Sequence, residues 1–290
     1  MSFHNAKVYF DGSHYIAIPH TERKLGKKKR SKGLKEKKEK EKFEEAYAET
    51  KGKRKCEKVK EIKDKISVHF EDEAMADDFI RVNMDRKERN AISRKVRLVR
   101  KVYNNEWNYF CTFTYDQSKH TEETFKKKLS NCLKHLSSRK DWRYIGVWER
   151  SPNKQRLHFH GLFYIPEMIG ELQEIRDYDT KNHRMQITLQ NTHFNKTFGR
   201  SDFKKIERKE ILGDSIAYLM KYLDKSGERI VYSRNIPTYY VTDILDEDVL
   251  CNLGDDDPRL ILADNFSSFN EGCYVGEICT ETKKKLKTAN

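Results

Sequence analysis

Hydrophobic and polar positions between residues 107 and 241 follow two periods in turn. In "WNYFCTFTYD" (107–116), Phe110, Thr112 and Thr114 alternate with Cys111, Phe113 and Tyr115. Aromatic and β-branched residues thus fall on both faces, which predicts an internal strand. The next stretch, "SKHTEETFKKKLSNCLKHLSSR" (118–139), changes to helical spacing, with Phe125, Leu129, Cys132, Leu133 and Leu136 as one stripe. A Thr121-x-x-Thr124 start with Glu122 and Glu123 in the first turn opens that helix, where carboxylates favour the dipole. "WRYIGVWERSP" and "RLHFHGLFYIP" then read as two strands joined by "SPNKQ" (151–155), a short polar connection suited to a hairpin. The predicted order is β-α-β-β.

Upstream, residues 74–105 read as a basic helix with few breakers. Downstream, "RMQITLQ" (184–190) reads as a strand and residues 191–209 as a loop. "EILGDSIAYLMKYLDKSGE" (210–228) is a helix that Gly227 is placed to stop. "RIVYSRNIPTYYV" (229–241) returns to extended chain, and no internal repeat is visible.

Composition divides this picture unevenly. Of 290 residues, 36% are hydrophobic and 36% charged, so part of the chain is too polar to pack by composition alone. Residues 22–65 hold 20 Lys and Arg against 10 Asp and Glu, nearly all of the net charge of +13. Such a run is either a solvated helix or linker, or an arm for a polyanion, whose neutralisation releases counterions. The organisation expected is a basic charged extension over 1–66, a catalytic domain with a leading helix over 67–240, and a C-terminal extension over 241–290. That last stretch is acidic at first and ends near "KKKLK", with no role assigned.

No window approaches the roughly 18 apolar residues of a membrane span, and the N-terminal residues lack a secretory layout. The expected location is the cytoplasm, with no membrane partner. Cys56, Cys111, Cys132, Cys251, Cys273 and Cys279 form no C-x-x-C pair, which argues against a zinc ribbon or a disulfide scaffold and for reduced thiols.

Three places carry candidate chemistry. Residues two apart on a strand share a face, so His158 and His160 point the same way among Leu157, Phe159, Leu162 and Phe163. Two imidazoles side by side in apolar surroundings are costly unless something polar binds them. Such a pair suits zinc, iron, manganese or copper, and an oxygen ligand shifts the preference to harder ions. Glu149, at the end of the preceding strand, is the candidate for that oxygen, and is equally readable as a solvent-facing carboxylate. On the helix "AYLMKYLDK", Leu212, Ile216, Leu219 and Leu223 form one stripe at about 100° per residue, leaving Tyr218, Lys221, Tyr222 and Lys225 on the other side. A phenol with pKa near 10 is under about 1% ionised at neutral pH, a deficit of roughly 3 to 4 kcal/mol for a nucleophile. A neighbouring ammonium lowers that deficit, and a divalent ion activates the phosphate it would attack.

Taken together, "HFH" at 158–160, the strand "FCTFTYD" before it and "YLMKYLDK" after it resemble the HUH endonuclease superfamily, and within it the rolling-circle replication initiators of phages and bacterial mobile elements. The resemblance spans about residues 107–226. It implies an α+β fold with a ferredoxin-like central antiparallel sheet and packed helices. It also implies Mg²⁺ or Mn²⁺ on His158, His160 and Glu149, and Tyr218 as the nucleophile of a Y-x-x-K pattern with Lys221. Tyr222 is either a second nucleophile or a residue that stacks on substrate. The implied substrate is single-stranded DNA at a replication origin, nicked through a 5′-phosphotyrosine and religated by the reverse step. Trp107, Tyr115, Lys225 and Arg234 are expected to stack bases or hold phosphates. No G-x-x-x-x-G-K-[ST] phosphate loop is present, so unwinding would come from a host helicase, with a host polymerase extending the 3′ end. A relaxase or a single-strand transposase uses the same chemistry. From another class, the alternative is a non-catalytic nucleic-acid-binding module with the same sheet topology.

Overall fold

Alternation with large residues on both faces requires a sheet covered on both sides, and the computed structural model has that arrangement. It describes residues 2–20, 34–50, 52–150, 156–179, 183–226, 230–254 and 256–290; the side chains of 34–37, 179, 209 and 222–226 lie outside it. In chain order the elements begin with β1 (Ser2–Phe10), β2 (Tyr15–Ile18), α1 (Leu34–Glu49), α2 (Lys55–Ile66), α3 (Glu73–Tyr103), β3 (Tyr109–Thr114) and α4 (Glu122–Lys140). They continue with β4 (Arg143–Arg150), β5 (Leu157–Tyr164), β6 (Leu172–Asp179), β7 (Arg184–Asn191), α5 (Thr192–Thr197), β8 (Ser201–Lys205) and α6 (Lys209–Ser226). The last are β9 (Val231–Tyr232), β10 (Tyr239–Leu245), β11 (Val249–Asn252), β12 (Leu260–Leu262), β13 (Ser267–Asn270), β14 (Cys273–Glu277), α7 (Thr280–Lys285) and β15 (Lys287–Ala289). The fold is α+β, and every strand pairing described is antiparallel.

The central sheet runs β8-β3-β5-β4-β9. Cys111, Phe113, Trp148, Phe159 and Phe163 point to one face, where they meet Phe125, Leu129 and Leu133 of α4 and Phe194 of α5. Ile145, Val147 and Leu162 point to the other, against Ile216 and Leu219 of α6 and Leu98 and Val102 at the end of α3. Thr121 caps α4 as its sequence suggests, accepting from the Thr124 N–H.

Two glycines set how closely β4 and β5 approach. Gly146 and Gly161 are register partners in the middle of the pair. A Cβ on Gly161 would lie 2.8 Å from the Ile145 carbonyl oxygen and 3.2 Å from the Phe163 ring. The missing side chains make room for the phenylalanine rings of the first face.

Several stretches depart from the sequence expectations. Residues 191–209, expected as loop, hold α5 and the edge strand β8; both are too short for periodicity to register. Asn191 caps α5 by accepting from the Phe194 N–H at 3.1 Å. β6, unassigned from sequence, pairs along its whole length with β7. The connection 151–155 and Gly227 lie outside the described residues.

The chain forms two compact units, residues 1–20 with 97–290 and residues 21–96, which divide it at places other than the 66 and 240 boundaries expected from composition. In the first unit, β1 pairs with β10 and β2, joining the N-terminal residues to a second sheet of order β11-β12-β2-β1-β10-β13-β14, with β15 also on β10. Ala6, Val8, Ala17, Ile244, Leu262 and Phe266 form its core. The second unit buries Phe43, Ala46, Ile62, Ile66, Ile80 and Met84. Its sparse apolar residues recur at helical spacing between charges that stay outside, so a low hydrophobic fraction still supports a small core.

Gly161→Ala should lower stability by about 1–3 kcal/mol through overpacking. A thermal unfolding midpoint equal to that of the unaltered protein would contradict the tight β4–β5 approach.

Candidate active site on the central sheet

Strand register assembles the site. β5 lies between β3 and β4, and His158 is paired with Thr114 on one side and Glu149 on the other. His160 is paired with Thr112 and Val147. Direct cross-strand partners share a face, so these polar residues form two adjacent rows on the face covered by α6. The two imidazole rings are 5.8 Å apart and inclined by 32°.

Each ring is fixed through its Nδ1. His158 Nδ1 shares a 2.7 Å hydrogen bond with the Thr114 hydroxyl, and His160 Nδ1 a 2.9 Å bond with the Thr112 hydroxyl. The Nε2 side of His160 faces Glu149 Oε2 at 3.0 Å. Glu149 and His160 are each only 9% exposed, so their contact is made in a weakly screened setting where a lone buried charge would be costly.

The helix α6 brings the phenol. Ile216 and Leu219 anchor it to the sheet, and Tyr218, between them in sequence, turns its edge toward the histidines. Its hydroxyl donates to Glu149 Oε2 at 3.0 Å and lies 3.5 Å from His160 Nε2. The Tyr218 ring meets His160 edge-on at 5.2 Å and Phe110 edge-on at 5.6 Å, fixing its orientation from two sides.

Burial, reinforced by His160, lowers the His158 pKa to about 4, although Glu149 acts in the opposite direction. The ring is therefore neutral at pH 7 and keeps a lone pair available. Burial also raises the Asp202 carboxyl on β8, against the pull of Arg200; Asp202 is the register partner of Thr112.

Beside Thr114 opens a pocket of about 400 Å³ lined in part by Lys119, Arg156, Gln190, Asn195 and Arg200. Arg156 donates to the Tyr115 carbonyl and lies 5.4 Å over the Tyr115 ring, and Arg200 pairs with Asp177 of β6. These arginines give one end of the site positive charge.

Glu149, His158, His160 and Tyr218 are thus brought together. Lys221 is exposed on the same helix, three residues from Tyr218. The side chains of Tyr222 and Lys225 lie outside the described residues. The stacking roles expected for Trp107 and Tyr115 are not available to their rings. Trp107 is 8% exposed among Leu98, Val102 and Ile145 and donates its indole N–H to the Val102 carbonyl at 2.7 Å. Tyr115, also 8% exposed, packs against Phe125 at 5.2 Å. Arg234 is exposed, but it follows the β9 segment that bonds Tyr144, at the end of β4 away from Glu149. The residues that sequence reasoning missed are Thr112, Thr114, Asp202, Arg156 and Arg200. The threonines had a visible signal, since their two-residue spacing matches that of the histidines once the strands are paired.

Among the described residues, no three His, Cys, Asp or Glu side chains close on one another as a finished metal cage. The donor set of two imidazoles and one carboxylate on one face nonetheless fits a divalent ion chemically: Nδ1 of each histidine is engaged, which leaves Nε2 as the ligating atom, and His158 is neutral. Among the described residues no helix is long and apolar enough to cross a membrane.

This is an α+β protein whose polar centre sits between the middle strands of a covered antiparallel sheet and a tyrosine-bearing helix. Residues 108–227, from the start of β3 to just beyond α6, match the family of replication-associated proteins of the ORF2 type, and the four clustered side chains all fall within that span. No curated protein and no solved structure matches the chain.

The unfolded chain takes up a proton on His158 near the ordinary 6.5, whereas the folded one does so only near 4. The His158 contribution to stability is therefore full above pH 6.5 and is lost as pH falls toward 4. Ring-proton NMR with a chelator present should give a His158 midpoint near pH 4, and a midpoint near 6.5 would contradict the buried setting.

Proposed function

We propose that the protein is a metal-dependent, site-specific single-stranded DNA endonuclease of the HUH type that initiates rolling-circle replication. The observation that carries the reading is the Tyr218 hydroxyl, donating at 3.0 Å to Glu149 and lying 3.5 Å from His160. The match to replication-associated proteins over the same span supports it independently.

In this reading His158, His160 and Glu149 hold Mg²⁺ or Mn²⁺. The ion, when bound, withdraws charge from a phosphate oxygen and favours in-line displacement. The chain's own groups do the rest. Thr112 and Thr114 keep both rings aimed at one point, and Phe110 with the α6 stripe holds the phenol against it. Glu149 accepts the hydrogen of the Tyr218 hydroxyl, and Lys221 adds positive charge on the same helix; both favour phenolate character. Tyr218 Oη attacks the phosphorus of a phosphodiester, a P–O bond to tyrosine forms, and the P–O3′ bond breaks. The products are a 5′-phosphotyrosine and a strand end that leaves with a proton as a free 3′-OH. Attack by that hydroxyl reverses the step and religates the strand. The arginines of the adjoining pocket suit the strand's phosphates at the site edge. A relaxase or transposase would use the same step on a different DNA, and unwinding by a host helicase and extension by a host polymerase complete the replication reading.

One observation favours an alternative, a strand-binding module without catalysis: Glu149 Oε2 is engaged by both His160 and Tyr218, so these polar groups already satisfy one another. The same experiments separate the two. Tyr218→Phe removes the nucleophilic oxygen and leaves the ring packing, so with single-stranded origin DNA and Mn²⁺ it should abolish the detergent-resistant protein–DNA adduct while leaving the unfolding midpoint nearly unchanged. Persistence of the adduct would reassign the nucleophile. Replacing His158 and His160 together with alanine should eliminate Mn²⁺-dependent cleavage, measured as strand scission on a gel. Equal cleavage rates with and without the two imidazoles would remove the metal from the account.

A further inference from the structure

At the far end of the same strand pair is a second pocket, also of about 400 Å³. The register that pairs Glu149 with His158 pairs Arg143 with Tyr164 six residues away along β4. At the rise of a strand, the two places are about 20 Å apart. The walls combine the ends of β4 and β5 with the second sheet and α7, all within the first compact unit.

The lining carries three cations, Arg143, Lys283 and Lys284, against two carboxylates, and both carboxylates are engaged. Glu106 accepts from the Thr280 hydroxyl at 3.1 Å. Asp141 accepts from Asn235 at 3.0 Å and from one Arg143 nitrogen at 3.3 Å. Arg143 Nε is buried and has no hydrogen-bond partner among the described residues. Lys283 has only ring neighbours, Tyr15 at 5.1 Å and Tyr240 at 5.9 Å, and neither it nor Lys284 has a carboxylate partner among the described residues. These unneutralised cations favour an anion.

A bare inorganic anion leaves most of the space empty and the other walls unused. The volume lies in the range of organic ligand sites. Tyr103 and Tyr164 offer aromatic surface, and Asn105 and Asn235 offer amides beside them. We propose that this pocket binds one nucleoside phosphate unit, its phosphate on Lys283 and Lys284 and its base against the tyrosine wall. The unit is either a nucleotide within a DNA strand or a free nucleotide. For the strand source only, the proposal rests on the DNA-nicking reading.

The test uses the full chain in a chelating buffer, so that no cleavage intervenes. Anisotropy of a labelled single-stranded oligonucleotide gives affinity at several salt concentrations, and calorimetry gives binding of dAMP. The paired substitution Lys283→Gln with Lys284→Gln should weaken oligonucleotide binding by at least about tenfold and reduce its salt slope by about 1.4, the loss of two phosphate contacts on a single strand. Loss of binding for both probes assigns the pocket to the strand; loss for dAMP alone assigns it to a free nucleotide. Unchanged affinity and slope for both probes would overturn the proposal. Lys284→Glu, at an exposed side chain, repeats the comparison where packing of Lys283 on its rings is kept. Adduct formation is scored separately: a protein that forms no adduct but loses strand binding in these variants retains the pocket and loses the nicking reading.

Discussion

The antiparallel register of β3, β5 and β4 is the constraint on which the site depends. Because the side-chain period of a strand is two, a slip of one residue would send His158 and His160 to the phenylalanine face and leave Thr112, Thr114 and Glu149 without them. The large rings of Phe113, Phe159 and Phe163 oppose that slip, since it would expose them to α6 and bury histidines against α4. Packing on one face thus fixes the chemistry on the other. Gly146 and Gly161, opposite one another at the middle of the pair, let those rings close over the strands.

Polar groups at the centre of a covered sheet persist because each has a partner. A buried carboxylate without one costs several kcal/mol, and here Glu149 is held by His160 and by the Tyr218 hydroxyl. The threonines complete the arrangement by engaging the remaining imidazole nitrogens. The result is a preorganised group of donors with one face open to a ligand, and positive charge from Arg156 and Arg200 along its edge. The helix that carries Tyr218 is attached by Ile216 and Leu219, so the phenol is positioned by core packing and not by a loop.

Much of this was legible in the residues themselves. Alternation marked β3, β4 and β5, the apolar stripe marked α6, and the two-residue spacing put both imidazoles on one side. What local patterns could not carry was pairing across long separations. Ser2–Phe10 pairs with Tyr239–Leu245, more than two hundred residues away, and neither segment announces its partner. Composition misled at the charged helices, where Phe43 and Ile62 are fully buried despite their setting. Aromatic residues misled at Trp107 and Tyr115, because a ring that would stack on a base is indistinguishable in sequence from one that fills a core. The threonine contacts became visible only after the strands were paired.

The central claim is that the Tyr218 oxygen becomes joined to DNA phosphorus. Mass spectrometry of proteolytic peptides after incubation with Mn²⁺ and single-stranded origin DNA tests it at the atom concerned. The account predicts a nucleotide-bearing peptide with the modification localised to Tyr218. A conjugate localised to another residue, or strand cleavage that leaves every tyrosine unmodified, would contradict it.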